Sequence, residues 1–133
     1  NESYIQVAML SLTAFKSRIY EMIATNTLEK DSMEMIKDHT GSRLGKWYYQ
    51  GLGFRTFKHL QSYRDIEAHL IHMHTSAFDA LEAILTKSVQ VKLDNLELME
   101  SSSVELISLL SVLNDELQNM EKVEIAHDED ELF

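Results

Sequence analysis

Three histidines, His69, His72 and His74, fall within six residues, and His39 and His59 lie upstream of them. Imidazole is the commonest side-chain ligand for a metal, and a helix offers two ligands on one face at i and i+4. Here the spacings are three, two and five residues, so only His69 and His72 share a face. Turning that pair inward would turn Ile66 and Leu70 out of the apolar stripe. The spacing therefore predicts His74 as a histidine at the edge of the core, hydrogen-bonded to a partner for which Ser42 is the candidate. A sensor that binds a metal or a small molecule through His69, His72 and His74 is the alternative reading. Ser42 and His74 also have the residue types of a nucleophile and its base. No orienting acid or oxyanion hole accompanies them in the pattern, so no catalytic residue is assigned and the chain is read as not an enzyme. The paired Glu and Glu-x-x-His pattern of di-iron bundles is missing. Cysteine is absent, which removes disulfides, thiolate ligation and thiol redox chemistry.

The segment from Asp38 to Gly53 holds all four glycines, the single tryptophan and two of the five tyrosines. Gly51-Leu52-Gly53 lacks the lysine and spacing of a phosphate-binding loop. A structural role fits these residues better. Trp47 is expected to pack a short helix onto the rest of the protein, its ring N–H finding a partner. Tyr48 stands beside it, Gly45 allows close helix approach, and Gly51 and Gly53 make a turn.

The elements around this segment read as helices. Ile5, Ala8, Leu12, Phe15, Ile19 and Met22 recur at steps of three and four, predicting a helix from about Glu2 to Asn26 with a stop at Thr25-Asn26-Thr27. Asp31-Ser32 offers capping for a short helix with Met33 and Ile36. Another short helix is expected over Ser42–Tyr49, and Phe54, Phe57 and Leu60 form a brief turn. Tyr63, Ile66, Leu70, Met73 or His74, Ala77, Leu81 and Ile84 mark a long helix from about Ser62. Leu93, Leu96, Ser103, Leu106 or Ile107, Leu110, Leu113, Leu117 and Met120 mark another, after a link at Ser88-Val89-Gln90. The expected fold is all-α: an up-and-down four-helix bundle with a short extra helix around residues 42–50.

The 133 residues suit one domain with a real core. A net charge of −10 opposes nucleic-acid binding, because a phosphate backbone rewards basic faces. No apolar run approaches the roughly 18 residues that span a bilayer, and no signal peptide opens the chain, so no membrane insertion is expected. Half of the negative charge lies in the last 13 residues. The division is thus a bundle over residues 1–120 and an acidic, disordered tail over 121–133. An amino-terminal Asn in place of Met reads as an excised fragment or a processed product, with a fragment favoured. The tail ends in an aromatic, as chemoreceptor tethering peptides do, but Asp130 occupies the place of their second aromatic.

Ser42-Arg43-Leu44-Gly45-Lys46-Trp47-Tyr48 resembles the signature of the chemoreceptor zinc-binding domain, in which a cysteine stands where Ser42 does. Ala14-Phe15-Lys16-Ser17-Arg18-Ile19-Tyr20 is similar to that family's first-helix motif. Gly51-Leu52-Gly53 with Phe57, Ile66-Glu67 with Met73-His74, and Ser101-Ser102 with its leucine-rich sequel follow in order, so the resemblance covers about residues 4–120. It implies a zinc site of three histidines and one cysteine inside a four-helix bundle. Carried over, the ligand positions fall on Leu12, Ser42, Leu70 and His74, and only His74 keeps its ligand type. The chain is thereby identified as a degenerate member with no zinc cofactor. Polar ligands left without metal would cost about 1–3 kcal/mol each, whereas a buried leucine contributes about 1.5–3 kcal/mol.

What the resemblance implies for function is a cytoplasmic sensory or regulatory module at the C-terminus of a methyl-accepting chemotaxis receptor. Its partner would be the attached receptor signalling domain, in an arrangement compatible with a homodimer. Regulation of a diguanylate cyclase is the family's other role.

Overall fold

The computed structural model describes the backbone of residues 2–132 and the side chains of residues 4–126. All its elements are helices: α1 (Glu2–Thr25), α2 (Lys30–Lys37), α3 (Arg43–Tyr49), α4 (Leu52–Phe57), α5 (Gln61–Leu85) and α6 (Val89–Leu132). The chain is an all-α bundle. Its core takes the predicted stripes from α1 and α5: Ile5, Ala8, Leu12 and Ile19 pack with Ile66, Leu70, Met73, Ala77 and Leu81. Met99, Leu106, Leu110 and Leu113 of α6 complete it. Leu93 and Ile107, both candidates for that stripe, are exposed instead.

Cross-helix bonds set the directions. Ser62 Oγ donates to Glu116 Oε1 (2.9 Å), joining the start of α5 to a late turn of α6. Glu100 accepts from Lys16 Nζ (3.1 Å) and from the Tyr20 hydroxyl (2.8 Å), while Ile5 and Met9 of α1 line a groove with Ser111 and Asn114. Both α1 and α5 therefore run opposite to α6. Between them the remaining leg is broken. The chain meets α5 at His74 through Ile36 and at Tyr63 through Tyr48, so it descends α5 in the three short pieces α2, α3 and α4. The short helix with Met33 and Ile36, the short helix over Ser42–Tyr49 and the brief turn at Phe54, Phe57 and Leu60 that the sequence predicts appear as α2, α3 and α4.

The helix ends explain the breaks. After α1, Asn26 (φ 52°) turns left-handed, with Asn26 N–H bonded to Ile23 O and Thr27 N–H to Met22 O. After α5, Lys87 (φ 57°) does the same, with bonds to Ile84 O and from Ser88 N–H to Ala83 O. Both are Schellman closures. Ser88 Oγ then accepts from Val91 N–H (3.3 Å), so α6 begins at Val89 and the expected link shortens. At α2, Asp31 and Ser32 sit within the first turn, and the N-cap is Glu29 without a side-chain bond.

The largest departure is at the C-terminus. Where the sequence predicts an irregular tail, α6 continues as helix to Leu132. Residues 121–126 are all exposed, so no core drives this. Glu, Lys, Ala and Leu are strong helix formers, and no glycine or proline interrupts them. The side chains of Asp128 to Phe133, including Asp130, lie outside the described residues.

Candidate functional site

His74 is 1% exposed, on the inward face of α5 one turn after the fully buried Leu70. Its Nδ1 lies 2.6 Å from the Ile36 carbonyl oxygen. A carbonyl only accepts, so Nδ1 carries the proton and Nε2 is left with a lone pair. Ile36 belongs to the last turn of α2, where carbonyls lack an intrahelical partner; the imidazole closes that end. Burial holds the His74 pKa below the ordinary histidine value of 6.5, against the opposing bond to Ile36. His39 pushes it further down and Asp38 pulls it up. The Phe15 ring packs on the imidazole at 4.4 Å, and the His39 ring stands 6.5 Å away. Nε2 itself is buried with no hydrogen-bond partner.

Ser42 does not meet His74 as expected. Its hydroxyl accepts from Gly45 N–H (3.0 Å) as the N-cap of α3, and points back toward His39 O (3.4 Å). The preceding loop is folded by Asp38, which accepts from Thr40 N–H (3.1 Å) and Oγ1 (2.6 Å). Those bonds, the Thr40 side chain's first, lower the Asp38 pKa. Gly45 is required by this loop rather than by a neighbouring helix: a Cβ there would overlap the His39 carbonyl.

At the other end of α3, Tyr48 and Tyr63 clasp each other. The rings stack at 4.2 Å and 14°, Tyr48 OH donates to Tyr63 O (2.8 Å), and Tyr63 OH donates to Tyr48 O (2.5 Å). Desolvation by burial raises the pKa of both hydroxyls. Tyr49 adds a bond to Glu67 Oε2 (2.8 Å) and stands 3.2 Å from His39 Nε2. Sequence reasoning left Tyr63 as a stripe residue, because a backbone partner 15 positions away leaves no local pattern. Trp47 is buried and packs on Phe57, but its Nε1 has no partner, contrary to expectation. Gly53 makes room for that indole: a Cβ would come 2.7 Å from Trp47 Cε3. Gly51 is the N-cap of α4, and no glycine adopts a positive φ. Space, more than conformational freedom, selects Gly45 and Gly53.

The structure does not bring the three histidines together. His74 is buried, His69 half-buried and His72 exposed, because their spacing spreads them around α5. Among the described residues, no three His, Cys, Asp or Glu side chains converge as metal ligands. At the zinc positions carried over from the resemblance, Leu12 is 1% exposed and Leu70 is fully buried. Neither has a donor atom, and the Ser42 hydroxyl is engaged in capping. One imidazole nitrogen does not make the four-coordinate shell that structural zinc requires, so these residues do not fit the metal. Beside them, Phe15, Ile36, Leu44, Met73 and His74 line a cleft of about 340 Å³ between α1, α2, α3 and α5. No helix of the described residues is long and apolar enough to cross a membrane.

No curated protein and no solved structure matches the chain. The family model described as the chemoreceptor zinc-binding domain matches residues 13–81, a span that includes Ser42, Leu70 and His74 and begins one residue after Leu12. That is more than half of the 133 residues, and the chain belongs to the chemoreceptor zinc-binding domain family, a sensory and regulatory rather than catalytic one.

Proposed function

We propose that this chain is a cytoplasmic regulatory module, the C-terminal domain of a methyl-accepting chemotaxis receptor, in which an apolar core has replaced the zinc site. The observation that carries the zinc-free part is that Leu12 and Leu70, which have no donor atoms, are buried in the same core as His74. Family membership supports the regulatory part. Without a bound cation, the module acts through packing and through contacts with the attached signalling domain, alone or as a homodimer.

Calorimetric zinc titration with elemental analysis tests the reading. The expected result is far less than one equivalent of zinc after purification and no binding at micromolar concentration. Tight binding that disappears in His74→Ala would overturn it. Changing Leu12→His, Ser42→Cys and Leu70→His together is expected to create tetrahedral zinc binding, because the three changed positions and His74 would then supply four donors. A triple variant with no gain in affinity would break the positional correspondence.

A further inference from the structure

We infer that the cleft beside His74 binds a small, largely apolar organic molecule that carries one hydrogen-bond donor, such as a phenol or an alicyclic alcohol, and presents that donor to His74 Nε2. The inference deepens the regulatory reading and rests on it for its purpose, since the guest would be the input that zinc supplies in relatives. Three observations converge. The cleft, at about 340 Å³, falls in the range of small-molecule pockets. Ala14, Phe15, Ile36, Leu44 and Met73 give it mainly apolar walls. The His74 ring contributes to the lining, and its Nε2 is buried without a partner. Because Nδ1–H is bound to Ile36 O, Nε2 is an acceptor, and the complementary guest is a donor.

Access requires one side chain to move. Phe15 is half-buried, lines the cleft and packs on the imidazole, so its ring is the one whose rotamer change would open a path from the cleft to Nε2. At the rim, Arg18 and Arg43 stand with Asp38, a mixed charge that suits a neutral guest. An unmet buried acceptor is costly; a ligand donor satisfies it where an apolar molecule of equal shape does not.

The test uses phenol and toluene as probes, on the chain labelled with 15N and followed by NMR. Phenol is expected to bind saturably, shifting the His74 ring Nε2 resonance and the amides of Ala14, Leu44 and Met73. Toluene is expected to bind about threefold to tenfold more weakly, the value of one hydrogen bond, and to leave Nε2 unshifted. Ala14→Trp, a change at an exposed cleft residue, should abolish phenol binding while the fold persists. His74→Phe should reduce phenol to the level of toluene. Equal affinity for both probes, or binding that survives Ala14→Trp, overturns the proposal. If phenol shifts nothing while elemental analysis remains free of zinc, the guest site is wrong and the zinc-free module stands. A shift of Nε2 by micromolar zinc would overturn both.

Discussion

The Tyr48–Tyr63 clasp and His74 treat their own buried polar groups in opposite ways. At the Tyr48–Tyr63 clasp, each hydroxyl meets the other residue's carbonyl, and the stacked rings fill the space between. At His74, one nitrogen is bound and the other is not, although Leu12 and Leu70 are almost fully buried. The clasp is built by its own residues alone and needs nothing else. The His74 region keeps one buried acceptor, Nε2, without a partner. A closed polar pair fixes helix position, whereas an open acceptor beside a cleft has capacity for a ligand.

The apolar fill at the His74 end carries the largest expected effect. Leu70→Ala should destabilise by about 2–5 kcal/mol, the cost of a cavity in a packed core, read from denaturant midpoints at constant slope. A loss under 1 kcal/mol would mean that the region is loosely packed, and the contrast with the clasp would weaken. Tyr63→Phe should cost about 1–3 kcal/mol, because it strands the Tyr48 carbonyl. At the open end, Ser42→Ala removes the cap of α3 and should cost about 0.5–2 kcal/mol.

The pH dependence sharpens the same contrast. His74 has a depressed folded pKa, so below its ordinary value of 6.5 the unfolded chain binds the proton more readily. Its contribution to stability is complete above that value and is lost as pH falls toward the folded one. The wild-type urea midpoint should therefore drop more between pH 7 and pH 5 than that of His74→Phe. Parallel profiles would show that the ring protonates freely in the fold. The tyrosine clasp should contribute nothing in that range, since its hydroxyl pKa values are raised.

The long helices were legible because their apolar residues repeat with the helical period. The α1 stripe from Ile5 to Met22 is buried except for the half-buried Phe15. The amphipathic pattern misplaced Leu93, since near the α5–α6 turn the period alone does not say where contact begins. What stayed hidden were backbone partners. Nothing local in the sequence says that His74 serves the carbonyl of Ile36, 38 residues earlier, or that Gly45 is small to clear His39 O. Ser42, the expected partner of His74, has the nearer task of a serine before a short helix and caps α3.

One consequence follows from the shortness of α2. An isolated stretch of eight residues does not hold helical shape in water, and α2, from Lys30 to Lys37, has no side-chain cap at its start. Its coiling is therefore borrowed from Ile36 docking against α5 and from the imidazole that seals its last turn. Amide exchange in Glu34–Asp38 should quicken whenever that seal opens, which makes this segment a natural timer of events at the ring.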